Sequence, residues 1–264
     1  MAIAWFAYLE FYYRAKTIYS IHPPFFYDLV TKVFDPSRVY YDFDKINTQY
    51  EAICCLEQII PEDEFSFERN QQGKKLGNFA KKAVSPPKVC HDLYRLIEYL
   101  KPKQILELGT CLGISTLSMA MVSQNSAITT VEGNSFFSQF AQQQNAKFVE
   151  NVSYLNHRFE DFFASNEIKN FDFIFIDGDH SYEASHAAMR HIMSCCSSDA
   201  VILFDDIHWS SDMYKAWKEI IQMKQVHASL ETCRWGLVFL SEHITSSHIS
   251  SIPYWAKPWD IGLW

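Results

Sequence analysis

The chain has 264 residues, of which 48% are hydrophobic, and a formal net charge of −8. This length allows one large domain or one core with an extension, and the acidic charge disfavours nucleic-acid binding, which needs a basic surface. No apolar stretch reaches the length of a membrane-spanning helix. The seven cysteines form no Cys-x-x-Cys pair, so neither a disulfide framework nor a zinc site is indicated. We therefore predict a protein of the reducing cytoplasm.

Residues 1–85 are predicted to form a helical extension that is rich in aromatic side chains. The first helix has an apolar face at helical spacing, formed by Trp5, Tyr8, Leu9 and Tyr12. Two more helices are predicted over 25–34 and 44–60, and the polar stretch 61–75 is a candidate lid. We expect the aromatic side chains to pack on a neighbouring core. A homodimer contact and a wall of the substrate pocket are the alternatives.

Residues 86–264 are predicted to form the main domain, because short apolar β runs alternate there with helical segments. The predicted strands are 104–108, 127–131, 152–155, 171–177 and 200–204, followed by a hairpin of 225–231 and 234–240. This alternation predicts an α/β fold with a mostly parallel sheet and one antiparallel strand. The tail, 241–264, is predicted to be irregular.

The first strand of this domain continues into a glycine-containing turn, Gly109-Thr110-Cys111-Leu112-Gly113, and then into a helix. Glycine permits positive φ and close approach of a ligand, and a helix N-terminus offers unpaired N–H groups. The pattern therefore predicts a nucleotide cradle, with an ordinary buried strand-turn-helix as the alternative. Its spacing, Glu-x-Gly-x-x-x-Gly, disfavours a nicotinamide-dependent oxidoreductase, which would carry Gly-x-Gly-x-x-Gly.

Carboxylates follow three of the predicted strands. Glu132 follows the second strand, where doubly wound folds bind ribose hydroxyls; a solvated glutamate is the alternative. Asp177 follows the fourth strand, and Asp205 and Asp206 follow the fifth. Carboxyl ends of adjacent parallel strands meet at the ligand edge of a sheet, and oxygen donors there suit Mg²⁺.

Two histidines lie in the same strand-end segments, and either is a candidate general base because imidazole titrates near neutral pH. They are His180 and His208. Three interpretations stay open: a metal-assisted reaction, a base of Asp177 or histidine without metal, and neither of these.

Four segments occur together in one order: Glu107-Leu-Gly-Thr-Cys-Leu-Gly, Glu132, Asp177-Gly-Asp-His-Ser-Tyr-Glu and Asp205-Asp-Ile-His-Trp. The combination resembles class I S-adenosylmethionine (SAM)-dependent methyltransferases, close to the bacterial group with an Asp-Gly-Asp-His-x-Tyr-Glu signature. The resemblance covers roughly residues 20–240. It implies a Rossmann-like seven-stranded sheet of order 3-2-1-4-5-7-6, with strand 7 antiparallel.

The resemblance also implies a set of SAM-binding residues: Glu107, Gly109, Thr110, Gly113, Ser115, Glu132, Gly133, Phe159 and Asp177. In this assignment the glycines of the turn lie against the methionine part, Ser115 reaches the carboxylate, and Glu132 holds the ribose. Where family members place an Asp near the adenine, this chain has Arg158, followed by Phe159, which would stack on the ring.

The resemblance implies an O-methyltransferase in which Asp177, Asp205 and Asp206 bind Mg²⁺ or another divalent ion. The family pattern at the last pair is Asp-Asn, whereas this chain has Asp-Asp. We therefore predict methyl transfer from SAM to a hydroxyl oxygen of a small molecule, with divalent-metal assistance. The alternative is a non-catalytic SAM-binding or assembly protein of the same fold. The sequence does not specify the methyl acceptor.

Overall fold

The computed structural model describes residues 5–61, 73–165, 170–178 and 181–260, so most of the candidate lid at 61–75 lies outside the described residues. The helices are α1 (Trp5–Arg14), α2 (Pro24–Val33), α3 (Phe43–Cys54), α4 (Leu76–Ala83), α5 (Pro87–Leu100), α6 (Ile114–Val122), α7 (Ser135–Asn145), α8 (Phe159–Ala164), α9 (Tyr182–Ile192) and α10 (Ser211–Ile220). The strands are β1 (Gln104–Leu108), β2 (Ala127–Val131), β3 (Val152–Leu155), β4 (Phe171–Ile176), β5 (Cys196–Phe204), β6 (Ala228–Glu231), β7 (Gly236–Phe239) and β8 (His248–Ser250).

One compact unit spans residues 33–168, and we call it the glycine-turn unit. Its strands β1, β2 and β3 pair in parallel, with Leu108 opposite Val131 and Val131 opposite Leu155. Their carboxyl ends therefore lie side by side. Apolar residues of α3 to α7 form its core, which includes Ile46, Leu117 and Phe140.

The other compact unit joins residues 1–32 to residues 169–264, and we call it the hairpin unit. Strands β4 and β5 pair in parallel, β7 runs antiparallel to β5 and to β6, and β8 runs parallel to β6. Strand β4 is apolar at almost every position, as expected of a strand covered on both faces.

The strand order, β3-β2-β1-β4-β5-β7-β6-β8, confirms the predicted α/β fold and the antiparallel seventh strand. An eighth strand is added, because β8 lies in the tail that was predicted to be irregular. The hairpin connection is also longer than the predicted two residues: β6 ends at Glu231 and β7 begins at Gly236. Among the described residues, no helix is both long and apolar enough to cross a bilayer.

The N-terminal aromatic side chains divide into buried and exposed groups. Phe11 and Phe26 are buried in the hairpin unit, and Phe26 packs on Phe239 of β7. Phe6 and Tyr13 are more than 80% exposed. Ala7 and Phe11 are the buried residues of α1, and Tyr8 and Tyr12 pack beside Phe11 as predicted, whereas Leu9 of the predicted face is 43% exposed. Residue 85 lies inside the glycine-turn unit, so the boundaries of the two compact units fall elsewhere. The division into domains at residue 85 stays a prediction.

Candidate functional site

The turn between β1 and α6 has a left-handed backbone at three positions: Gly109 (φ 104°), Cys111 (φ 48°) and Gly113 (φ 81°). Gly113 is buried against α7, where a Cβ would stand 2.7 Å from the Cβ of Ala141. Asn145 of the same helix donates to the Gly113 carbonyl at 2.8 Å. Gly113 is thus required by packing within the protein. Gly109 and Cys111 remain partly exposed at this edge.

Glu132 lies at the carboxyl end of β2 and joins two loops. Its Oε2 accepts from the backbone N–H of Cys111 at 2.9 Å, and its Oε1 accepts from the backbone N–H of Asn134 at 2.8 Å. The side chain is half-buried, and a carboxylate has about four lone-pair sites. The glutamate can therefore hold the glycine turn and still accept from a hydroxyl at the same edge.

Gly133 and Phe159 complete the partly exposed part of this edge. A Cβ at Gly133 would have its nearest neighbour, the His157 carbonyl oxygen, at 3.9 Å, so a side chain would meet no clash at this residue. Asn156 donates to the carbonyl oxygens of Glu132 and Gly133 and ties the end of β3 to this loop. Phe159 is half-buried at the start of α8. Gly133 and Phe159 are thus both accessible from solvent.

Glu107 is completely buried in β1 and is surrounded by hydroxyl groups. Ser115 donates to its Oε1 at 2.6 Å, and Thr130 donates to its Oε2 at 2.6 Å. Burial raises the pKa of Glu107 to about 7, and the hydrogen bonds from Ser115, Thr116 and Thr130 oppose this rise. The carboxyl group therefore stabilises the turn from inside the protein.

Three predicted cofactor ligands have side chains that are buried and engaged within the protein. Glu107 and Thr110 are 0% and 1% exposed, and the hydroxyl group of Thr110 bonds to that of Thr130. Ser115 is 7% exposed and gives its hydroxyl hydrogen to Glu107. These side chains shape the turn and do not point to a ligand. Gly109, Glu132, Gly133 and Phe159 are the partly exposed members of the predicted set in the glycine-turn unit, and their role in SAM binding stays a prediction.

Asp205 follows β5 in the hairpin unit and forms a bidentate ion pair. Arg234 Nε donates to its Oδ1, and Arg234 Nη2 donates to its Oδ2, each at 2.6 Å. Burial lowers the pKa of Arg234, but the hydrogen bonds and charge of Asp205, together with the charges of Asp206 and Asp177, outweigh burial and raise it. The sequence led us to expect a metal ion as the neutralising charge, whereas the protein provides a guanidinium.

Asp206 and Asp177 are half-buried beside this pair. Asp206 Oδ1 lies 3.3 Å from Arg234 Nε. Its backbone has φ 49°, a left-handed conformation that Asp tolerates better than most residues. Asp177 contributes to the field around Arg234. His180, the other candidate base, lies outside the described residues.

These aspartates do not fit the predicted metal site. Both carboxylate oxygens of Asp205 are bound by Arg234. Within the described part of the chain, no three His, Cys, Asp or Glu side chains are placed to share a metal ion. The assignment of Asp177, Asp205 and Asp206 as ligands of one ion stays a prediction, and the ion pair of Asp205 with Arg234 weighs against it. A carboxylate already bound by a guanidinium is a poor metal ligand.

His208 is buried, and both of its ring nitrogens have partners inside the protein. Its Nε2 lies 3.1 Å from Glu231 Oε1, and its Nδ1 lies 3.2 Å from the Cys233 carbonyl oxygen. Both ring nitrogens are therefore engaged by groups of the protein itself. The ring packs between Phe11, at 4.9 Å, and Tyr214, at 5.1 Å. His208 as catalytic base stays a prediction, and the engagement of both ring nitrogens inside the protein weighs against it.

Glu231 of β6 is the centre of this buried polar group. Ser250 Oγ and Arg14 Nη2 donate to its Oε2 at 2.6 and 2.9 Å. Burial raises the pKa of Glu231, but the hydrogen bonds from His208 and Ser250 and the charge of Arg14 outweigh burial and lower it. The ionised carboxylate therefore links α1, β6 and β8.

Sequence reasoning missed Arg234 and Glu231. Arg234 was placed in a β run of the hairpin, and nothing in that run marks a partner 29 positions away. One signal was available: Asp205-Asp206 replaces the Asp-Asn of metal-binding relatives, and the extra carboxylate calls for a compensating charge.

Comparisons with known proteins agree with this fold. A family model described as "Methyltransferase domain" matches residues 106–207, which is less than half of the chain. No curated protein matches the chain.

Three solved structures are similar in fold. One is the O-methyltransferase from Bacillus cereus in complex with SAH (18% identity, TM-score 0.53, covering 75% of this chain and 100% of that one). The second is the O-methyltransferase TomG from Streptomyces achromogenes in complex with SAM (13% identity, TM-score 0.56, covering 80% and 96%). The third is the SAH-bound methyltransferase PaMTH1 from Podospora anserina (15% identity, TM-score 0.54, covering 79% and 100%). At these identities the likeness shows the fold. This chain has the Rossmann-like α/β fold of methyltransferases.

Proposed function

We propose that the protein transfers the methyl group of SAM to a hydroxyl oxygen of a small-molecule acceptor. The observation that carries the proposal is Glu132, which follows β2 and holds the glycine turn through the Cys111 N–H while staying partly exposed. The family match over 106–207 and the SAM-bound and SAH-bound structures of the same fold support this assignment.

SAM, when bound, supplies an electrophilic methyl group, and the chain supplies the contacts that hold and orient it. Glu132 accepts from the ribose hydroxyls through charge-assisted hydrogen bonds. Gly109 and Gly133 leave room for close approach of the backbone, and Phe159 offers a ring face to the adenine.

In the hairpin unit, Asp177 is the residue we propose as general base. It is half-buried at the carboxyl end of β4 and lies within the field of Arg234. A carboxylate placed within hydrogen-bond reach of the acceptor hydroxyl can take its proton as the carbon–oxygen bond forms. Asp206 is proposed to orient the same hydroxyl.

The cofactor assignment is tested by calorimetric titration of SAH. Glu132→Ala should weaken SAH binding by about 1.5–3 kcal/mol, the scale of a charge-assisted hydrogen bond. Asn134→Ala is the matched control, because it loosens the start of α7 in the same loop while keeping the carboxylate. Equal weakening in both variants would mean that Glu132 acts only through the loop. Unchanged affinity in Glu132→Ala would remove it from the site.

The catalytic assignment is tested by measuring SAH formation with a panel of hydroxyl acceptors. Asp177→Asn should lower turnover by about 100-fold or more, the scale of general-base catalysis, while SAH affinity changes by less than about threefold. SAH binding without turnover on any acceptor, in a folded protein, would favour the non-catalytic alternative.

A further inference from the structure

The carboxylates after β4 and β5 have a cation of their own in the chain. Arg234 donates to both oxygens of Asp205 at 2.6 Å and lies 3.3 Å from Asp206. We propose that Arg234 is a positioning residue that takes the place of a divalent metal ion. It holds Asp205 and Asp206 at the strand end, so that the proposed methyl transfer needs no divalent ion.

The first argument is the occupancy of Asp205. Its Oδ1 accepts from Arg234 Nε and from the backbone N–H of Asp206, and its Oδ2 accepts from Arg234 Nη2. Three of about four lone-pair sites are therefore used, and the residue is 0% exposed. A metal ion would have to displace two charge-assisted hydrogen bonds and stand beside a fixed positive charge.

Arg234 is held through its backbone as well as through its guanidinium. Its backbone carbonyl accepts from the Ile207 N–H at 3.0 Å, in the same loop that carries the two aspartates. Its backbone N–H donates to Thr232 Oγ1 at 3.3 Å within the hairpin connection. The side chain is thus fixed at its base by the backbone and at its tip by Asp205. The two parallel N–H groups of the guanidinium match the two carboxylate oxygens, which an ammonium group does not.

The third argument concerns the charge at this strand end. Arg234 also lies in the field of Asp177, so one guanidinium faces three carboxylates. Its charge offsets their mutual repulsion, as a metal ion would in a metal-binding relative.

The test uses Mn²⁺ as the probe, titrated into the full-length protein without SAM or acceptor and followed by electron paramagnetic resonance. Asp205→Asn should bind Mn²⁺ no more weakly than wild type does, because Asp205 is not a metal ligand in wild type. Arg234→Gln should bind Mn²⁺ at least about tenfold more tightly than wild type, because Asp205 is released to act as a ligand. The double variant Arg234→Gln/Asp205→Asn should lose this gain.

Arg14→Gln is the matched control, because it removes another arginine–carboxylate pair of the same unit, 2.9 Å long. It should gain no Mn²⁺ binding, since Glu231 keeps His208 and Ser250 as partners. Arg234→Lys keeps the charge and should stay close to wild type in Mn²⁺ binding.

Mn²⁺ binding by wild type that Asp205→Asn abolishes would overturn the proposal, and this arm does not require a folded Arg234 variant. A folded Arg234→Gln protein that gains no Mn²⁺ binding would overturn it as well. A second experiment measures SAH formation after treatment with a chelator, and it rests on the proposed function. Turnover should be unchanged, and a loss of turnover that Mn²⁺ restores would contradict the proposal. Because the Mn²⁺ titrations involve neither SAM nor acceptor, they remain decisive if methyl transfer itself is not found.

Discussion

Glu107 in the glycine-turn unit and Glu231 in the hairpin unit are both almost fully buried, at 0% and 3% exposure. Glu107 is surrounded by hydroxyl groups, and burial raises its pKa to about 7. Glu231 also loses solvation, but its hydrogen bonds from His208 and Ser250 and the charge of Arg14 lower its pKa. Uncharged donors only partly compensate a buried carboxylate, whereas cations keep it ionised. The free energy of unfolding should therefore depend on pH in opposite directions through these two residues.

The largest expected effect is that of Glu231→Ala. It leaves the Arg14 guanidinium without its counter-charge and the buried His208 ring without its side-chain partner, which should lower the free energy of unfolding by about 3–5 kcal/mol at neutral pH. Chemical denaturation followed by tryptophan fluorescence measures this loss. The double variant Glu231→Leu/His208→Phe should recover part of it, since no buried imidazole is then left without its partner and the remaining Arg14 side chain is 43% exposed. A loss of under about 1 kcal/mol in Glu231→Ala would mean that the contacts of Glu231 with Arg14 and His208 are not formed in solution.

Glu107 should make stability fall as pH rises. Its folded-state pKa of about 7 lies above the ordinary value of 4.5, so the folded protein holds the proton more tightly. The contribution is fully present below pH 4.5 and is lost as pH rises to about 7, by about 3 kcal/mol. Glu107→Gln should remove this component from unfolding curves measured across that range. An identical pH dependence in the variant would show that Glu107 is ionised throughout.

Glu231 should produce the opposite dependence on the acid side. Its folded-state pKa lies below the ordinary value of 4.5, so its contribution is present above pH 4.5 and is lost as pH falls through the folded-state pKa. We expect Glu231→Gln to flatten the acid limb of the stability curve, while Glu107→Gln leaves that limb in place. Measuring both variants with the same denaturant and buffers separates the two contributions. A steep acid limb in Glu231→Gln would contradict this assignment.

The smallest expected effect sharpens the comparison within the glycine-turn unit. Thr116→Val removes one of the hydroxyl groups around Glu107 while keeping the shape of the side chain. It should lower the free energy of unfolding by about 1 kcal/mol, the scale of one uncharged hydrogen bond, because Ser115 and Thr130 still donate. Thermal unfolding near pH 5 is the suitable measurement. A loss as large as that of Glu231→Ala would mean that the hydroxyl groups act as one inseparable network.

The strands and their order were predictable because their apolar runs are short, regular and separated by polar breaks. Strand β8 was missed because His248-Ile249-Ser250 lies among serines and has one apolar side chain, and its pairing with β6 depends on tertiary contacts. The strand was therefore invisible to periodicity.

The site was predicted less well than the fold, for a physical reason. Position after a strand indicates which residues reach the sheet edge, and this placed Glu132 and Asp177 correctly at strand ends. It does not indicate which way a side chain turns. The loop after β5 turns His208 inward, where Glu231 and the Cys233 carbonyl oxygen accept from it. The pairing of His208 with Glu231 and that of Asp205 with Arg234 join residues far apart in the chain, and no local pattern in the sequence indicates them.

Strand β8 has a consequence for the association of one chain with another. Strand β6 is fully buried, and without β8 its outer row of backbone N–H and C=O groups would be open to the strands of other molecules. Strand β8 covers this row with three residues. The segment around Lys16 then continues the coverage, because the Lys16 N–H donates to the Ser250 carbonyl and the Ile252 N–H donates to the Lys16 carbonyl. The segments around Lys16 and β8 thus cover the edge of β6 and should hinder edge-to-edge aggregation. Removing the residues after Leu240 should make the protein form β-rich aggregates even where the remaining core can fold.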